Sequence, residues 1–493
     1  MSILRITKIA MVAFVIVLTA VLAGADQKKN SPPPAPKPAP AAKPAPAATP
    51  KPNTTQQRAT TQRRQTTRRP ETTQPPSRTR RIQTTQGTKS IGLQPPAPNP
   101  QSPTVKNLPS GKTATVAQNG SIRGFRDPKR NMTVQRGLRP GDRNIVSLNG
   151  RGHTVVSAGP HGGYVQRPYA PDRFHRPYIQ RTYWAHGHAY ALVYRDRVYD
   201  GVHYYYYAPA FYYHPMFYGW ANSPWAAPVH YDWGWGAAPA WFYGGYFVPA
   251  AVYPSASLWL TDYLLAENLK AAYDTGQEAA GNLEASQGGD QPAPAEGGNP
   301  AATPLSPEVK NMIDAEVQRQ LHAEQAEAQS PQPQAGSDQA PPPSLDPKQR
   351  LFVVASNLGV STQEGNECEL TPGDVITRLD DMPGNDGKVK VSVMSAKPDD
   401  CSLGSSPRVE VSDLQEMGNS FHQQLDSGLK ELATKSGTGG LPKAPDTGTS
   451  PGVAPQPSPD SGVGAQLADQ QKQADQAEAE VRQEVSSGAG QGK

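Results

Sequence analysis

SGKTATVAQNGSIRGFRDPKRNMTVQRGLRPGDRNIVSLNGRGHTVVSAG (residues 110–159) alternates short β-prone runs with turn dipeptides. The runs are Thr113–Val116, Ser121–Phe125, Met132–Gln135, Asn144–Leu148 and Thr154–Ser157, and Gly163–Gln166 continues the series. Breaks fall at Asn119-Gly120, Pro140-Gly141, Asn149-Gly150 and Gly162-Gly163. Strands this closely spaced, with Gly-containing turns between them, predict an antiparallel meander over 110–182. It holds few large apolar residues, so it must lean on a neighbour for a core.

That neighbour is expected in 183–275. Between residues 183 and 254 stand 25 aromatics, among them an unbroken Tyr204–Tyr207 run. Pro209, Pro215, Pro224, Pro228, Pro239 and Pro249 argue against long regular elements there. Tyr183–Tyr207 is expected to be strands, and the rest irregular loops packed by their own rings. Ser255 or Ser257 then caps an apolar helix running through Leu258, Trp259, Leu264 and Leu269.

Outward from this centre the chain divides further. Residues 1–25 read as a cleavable signal peptide: Arg5 and Lys8 precede the apolar run Ile9–Leu22, and Ala23-Gly24-Ala25 supplies the small-x-small cleavage pattern. The expected location is therefore periplasm, cell envelope or extracellular space. Residues 26–109 are a Pro/Ala-rich, then Thr/Gln/Arg-rich basic arm, expected to be disordered. Linkers at 276–304 and 329–345 flank an amphipathic helix at 305–328, where Ser306-Pro307-Glu308 is a helix start. Its stripe Val309, Met312, Ile313, Val317, Leu321 suits self-association or docking on a neighbouring domain. A small β domain at 346–414 precedes a second amphipathic helix (415–437), capped by Ser412 and ended by Gly437, and a disordered tail (438–493). The fold class is thus mostly β: small domains with isolated helices and extensive disorder.

Cys368 and Cys401 are the two cysteines of the chain, and an exported protein would join them as a disulfide. Charge is unevenly placed. Residues 26–185 carry 28 Lys/Arg against 5 Asp/Glu, and residues 255–493 carry 16 against 35. Such a basic half meets a polyanion, here an envelope polymer, a lipid headgroup or the chain's own acidic half rather than a specific nucleic acid. The doublets Arg63-Arg64, Arg68-Arg69 and Arg80-Arg81 are the candidate contacts.

Trp220, Trp225, Trp233 and Trp235 are the candidate aromatic binding surface, because rings in Gly/Pro-broken loops suit a glycan, a membrane interface or a protein partner. The competing reading makes them core. His186 and His188 share a strand face and could hold a metal, which defines the alternative of a His-metal enzyme. No G-x-S-x-G, P-loop, dinucleotide fingerprint or H-E-x-x-H motif occurs, so the residues favour a non-enzymatic protein with no cofactor.

Glu369-Leu370-Thr371-Pro372-Gly373-Asp374-Val375-Ile376 with Asp380-Asp381-Met382-Pro383 resembles the signature of PDZ domains of exported bacterial proteins. That resemblance implies a peptide-binding adaptor and assigns Leu358, Gly359 and Val360 to its carboxylate-binding loop. The other reading of Pro372-Gly373-Asp374 is a turn before a strand. The stretch Pro254-Ser255-Ala256-Ser257-Leu258-Trp259-Leu260-Thr261-Asp262-Tyr263, following a Tyr/Trp/Gly-rich region, is similar to exported bacterial proteins of the same arrangement, a likeness that implies a location and no activity.

Overall fold

The computed structural model describes residues 103–138, 142–149, 153–158, 162–169, 178–185, 187–234, 245–287, 304–330, 340–362, 364–452 and 456–489. The basic arm's Arg doublets, Trp235 and His186 lie outside them. Ten strands form one antiparallel sheet whose spatial order is the chain order: β1 Thr104–Asn107, β2 Thr113–Val116, β3 Ile122–Asp127, β4 Met132–Arg136, β5 Arg143–Asn149, β6 His153–Ala158, β7 Gly163–Tyr169, β8 Tyr178–Ala185, β9 His188–Tyr199 and β10 Val202–Ala208. The meander is therefore longer than 110–182. It begins inside the stretch assigned to the arm and crosses the boundary at 182/183, because β8 pairs with both β7 and β9. Asp200 and Gly201, both at positive φ, close the last hairpin as a two-residue turn.

A second sheet has the order β14-β17-β18-β19-β15-β16, with β14 Leu351–Val353, β15 Leu358–Thr362, β16 Glu367–Leu370, β17 Val375–Arg378, β18 Lys388–Ser395 and β19 Pro407–Glu410. Alternation along β18 (Val389, Val391 and Val393 buried) gives this sheet its own core. Cys368 and Cys401 are disulfide-bonded with Cα atoms 5.0 Å apart. The mostly β class holds. Two short ribbons complete the strands: β11 Phe211–Tyr213 with β20 Thr449–Pro451, and β12 Pro224–His230 with β13 Val252–Ser255.

Among the described residues five α-helices accompany the sheets: α1 Pro215–Asn222, α2 Ala256–Gln287, α3 Pro307–Gln329, α4 Val411–Lys435 and α5 Val463–Ala489. Ser255 Oγ accepts from Leu258 N at the start of α2, and Ser306 Oγ accepts from Val309 N at the start of α3. α2 runs on to Gln287, into the stretch assigned to a linker. Ser412 does not cap α4, whose N-cap is Glu410.

Of the two alternatives for the stripe of α3, docking on neighbouring elements is what the fold uses: Val309, Ile313, Val317 and Leu321 are buried in the core against α1 and α2, with Met312 exposed. One expectation about the helices needs correction. The tail is not disordered over 463–489. α5 crosses the meander, setting Val463 and Leu467 against Val155 and Val165, and Ala474, Ala477 and Val481 against Phe125, Met132, Val134 and Ile145. Small Ala side chains let the helix approach the sheet closely.

The same docking neutralises much of the sheet's charge. Lys112 pairs with Glu480 at 2.7 Å, Arg130 with Glu480 at 2.8 Å, Arg143 with Asp475 at 2.5 Å, and Arg136 with Glu478. Gln470 Nε2 donates to Ser147 Oγ, Ile145 O and Val155 O, and its Oε1 accepts from Ser157 Oγ at 2.6 Å. The basic strands thus meet the chain's own acidic half.

Candidate functional site

The aromatic-rich segment builds the main core. Trp259 is fully buried and stacks on Trp233 at 4.7 Å. Trp233 Nε1 donates to Tyr253 Oη at 2.8 Å, and Tyr253 Oη donates to Asp262 Oδ2 at 2.6 Å. Asp262, fully buried on α2, also accepts from Ala250 N and pairs with Lys310 of α3 at 2.5 Å. Burial raises its pKa against the pull of Lys310. Trp220 lies in α1 and stacks on Phe217, and Trp225, in β12, is 8 % exposed. Trp220 and Trp225 therefore stand in short regular elements, whereas Trp233 stands in the irregular stretch after β12. Trp220 and Trp233 are half-buried.

Leu358, Gly359 and Val360 form strand β15, paired to β16, rather than a loop. Pro372-Gly373-Asp374 is a turn: Asp374 Oδ2 accepts from Thr371 N, and Gly373 has φ +93°. A Cβ on Gly373 would lie 2.6 Å from Leu269 of α2, so the glycine permits that helix to pack there. His188 is exposed at the start of β9. Among the described residues no three His, Cys, Asp or Glu side chains converge as metal ligands do.

A concave surface lies along α4. Two contacts fix this helix against the meander. Arg181, 1 % exposed, lies 4.2 Å from the Tyr194 ring centroid and 4.6 Å from that of Tyr164, and its two terminal nitrogens grip Glu416 of α4 at 2.7 and 2.8 Å. Asn419 Nδ2 donates to Tyr205 O, while its Oδ1 accepts from Tyr207 N, so one amide side chain pairs with the outer edge of β10 as a strand would.

Two cavities open beside these contacts, and Tyr207 lines both. The first, about 230 Å³, has Arg195, Arg197, Tyr206, Gln349, Gln415 and His422 in its wall. The second, about 490 Å³, is bounded by Tyr190, Phe211, Gln423, Gln424, Asp426 and Lys430. Tyr207 Oη donates to Asp426 Oδ2 at 2.7 Å. Burial pushes the Asp426 carboxyl up to about 7. Near it Glu324 of α3 is 4 % exposed, beside Tyr218. Burial, then the nearby Asp426 charge, raise it well above the usual range. Burial and then Arg319 hold His422 down at about 4, so its imidazole is neutral at pH 7.

The two cavities thus offer amides, hydroxyls and rings, with Arg195, Arg197 and Glu327 as the charged groups of the smaller and Asp426 and Lys430 as those of the larger. Sequence reasoning missed them. Arg195 and Arg197, at i and i+2 on one strand face, were the one local signal. No family model, curated protein or solved structure matches the chain.

Proposed function

We propose that this is a non-enzymatic, exported cell-envelope protein whose folded part binds carbohydrate of the envelope in the trough along α4. The observation that carries the reading is the composition of two cavities that share Tyr207: amides and hydroxyls in both, with the rings of Tyr190 and Phe211 in the larger. A sugar needs many directional hydrogen-bond partners for its hydroxyls, together with an aromatic face against its apolar C–H face. In this reading a tyrosine- and amide-lined surface along α4 serves beside the half-buried Trp220 and Trp233.

The signal-peptide pattern and the disulfide support export, since a cross-linked cysteine pair persists in an oxidising compartment. In this reading the Arg doublets of the arm hold the protein near an anionic envelope polymer. Calorimetric titration of the mature protein with envelope polysaccharide, alongside lipid vesicles, tests the carbohydrate reading. Tyr190, 44 % exposed, is the ring to remove. Tyr190→Ala should weaken glycan binding about tenfold, within the range for losing one interfacial ring. Vesicle binding with no glycan binding, or glycan binding indifferent to Tyr190→Ala, would reject the trough as the site.

A further inference from the structure

The smaller cavity holds two donors without acceptors. Arg195 of β9 and Tyr206 of β10 both line it, and the sheet register sets them directly opposite each other. Side chains paired in this way stand on one face, about 5 Å apart at Cβ. Arg195 Nε and Tyr206 Oη are both buried, and neither makes a hydrogen bond. Tyr206 is only 9 % exposed. Buried polar groups are nearly always paired, and an orphaned donor signals a missing acceptor. The charges of the cavity, in contrast, are answered. Glu327, also in its wall, lies 4.0 Å from Arg195 Nη2. Arg197 has partners of its own, among them the Tyr206 ring, whose centroid is 5.6 Å from its guanidinium. What the cavity lacks is an acceptor atom rather than a negative charge. The wall also offers an acceptor: burial and then Arg319 keep the His422 imidazole neutral, which leaves one ring nitrogen able to accept.

We infer that the cavity behind Arg195 and Tyr206 is a subsite for the acetamido group of an N-acetylated amino sugar, whose carbonyl oxygen accepts from Arg195 Nε and Tyr206 Oη. This rests on the carbohydrate reading of the surface along α4 and narrows it to one substrate class. A carbonyl oxygen carries two lone pairs, one for each donor, and no charge. The acetamido N–H has His422 as a polar partner in the same wall, and Pro343 gives its methyl group an apolar one. Size agrees with a substituent rather than a whole sugar unit: at about 230 Å³ the cavity falls below the roughly 300–1,000 Å³ of ordinary ligand pockets. It is open on one side, so the ring of the same sugar can stay at its mouth. A plain hexose lacks the carbonyl and leaves both donors orphaned, which is the source of the selectivity.

The experiment titrates full-length mature protein with N-acetylglucosamine, glucose, glucuronate and acetamide, using wild type, Tyr206→Phe and Arg195→Lys. Tyr206→Phe deletes only the orphaned hydroxyl, and Arg195→Lys deletes the Nε donor while keeping a positive charge beside Glu327. N-acetylglucosamine should bind wild type at least about tenfold more tightly than glucose. Each substitution should cut that preference several-fold. Tyr206→Phe should also leave the melting temperature of the free protein unchanged or raised, because an unpaired buried hydroxyl does not stabilise the fold. A lowered melting temperature would mean that the hydroxyl is bonded within the protein and would overturn the inference, even if Arg195→Lys fails to fold. Equal binding of N-acetylglucosamine and glucose by wild type, with glucose still sensitive to Tyr190→Ala, overturns the acetamido subsite and spares the carbohydrate reading. Binding of neither sugar overturns both. Glucuronate binding more tightly than N-acetylglucosamine, with the same dependence on Tyr206, makes the cavity an anion site and overturns the neutral acceptor. Acetamide binding as tightly as N-acetylglucosamine keeps an amide site and overturns its assignment to a sugar. A preference that survives both substitutions places the acetamido group elsewhere and overturns the inference.

Discussion

The two sheets of this protein solve the same problem in opposite ways. The six-stranded sheet packs its alternating Val389, Val391 and Val393 into a core with Phe352, Ile376 and Val409, and carries the Cys368–Cys401 bond within its own span. The ten-stranded meander has smaller apolar residues and no cross-link, and its early strands are covered by α5, which enters the chain some 300 residues later. One sheet carries a covalent staple within its own span, and the other is held by a distant helix that supplies both apolar contact and counter-charge. A β-rich composition alone does not say which solution a segment uses.

The largest effect should come from removing the distant helix. A chain truncated after Asp460 loses Val463, Leu467, Ala474, Ala477 and Val481 from the sheet, and the partners of Lys112, Arg130, Arg136 and Arg143 with them. Backbone amides of β3–β6 should then exchange about a hundredfold faster or more, while β17 and β18 stay protected. Equal protection in the truncated and full chains would show that the meander stands without its cover.

The disulfide is the reciprocal test. Replacing Cys368 and Cys401 by Ala opens a loop whose ends are 33 residues apart, which costs about 3–4 kcal/mol in the chain-entropy account. Denaturant unfolding followed by hydrogen exchange should register that loss in β15–β19, with β3–β6 unaffected. Loss of equal size in both sheets would mean that they unfold as one unit.

The smallest effect should be a divergence with pH. Hydrogen bonds from Arg130 and then Lys112 pull Glu480 down to about 2. Asp127 is also lowered, because its bonds to Arg130 and to the backbone N–H groups of Lys129 and Arg130 outweigh its burial. Acids lowered on folding stabilise the folded state above their unfolded pKa, and that contribution disappears as the pH falls through the folded value. The meander–α5 contact should therefore loosen as the pH drops from about 4.5 towards 2. Asp374 in the second sheet moves the other way, raised to about 7 by burial against the pull of Lys397. Its contribution is complete below about 4 and is lost as the pH climbs to 7. Exchange measured at pH 4, 5.5 and 7.5, corrected for intrinsic rates, should show the turn at Thr371–Asp374 more protected at the acidic end. Asp374→Asn should abolish that slope. A parallel pH response in both sheets would contradict the opposed environments of these carboxyls.

How much of this was legible in the sequence follows from where each element's partners lie. β2 and the cores of β4–β6 were readable because strand runs and Gly turns are local signals, as were the Ser255 and Ser306 helix starts. β15 and β16 were missed because a run of four or five residues, with Gly359 in one and two glutamates in the other, has little pattern before it is paired. α5 looked like a polar tail because its buried face is made of Ala and Val, which carry meaning only against the sheet they touch. The burial of Trp225 was not legible because Pro and Gly signal loops, whereas here Pro224 opens the short strand β12 that carries it into the core. The trough was invisible for a related reason: β9, β10, α3 and α4 come together only in the fold, and Arg195 and Arg197 have no sequence neighbour that marks them as a pair facing a cavity.

The position of α5 also sets the order in which this chain can become stable. Lys112 and Glu480 stand at nearly opposite ends of the described chain, so during synthesis the first strands emerge long before their cover. At roughly 5–20 residues per second, the gap between them lasts on the order of tens of seconds. Throughout that interval a strongly basic, half-covered β-sheet is exposed, with unpaired edges that other chains can join. The emergence of α5 is therefore the event that commits the meander to its final state.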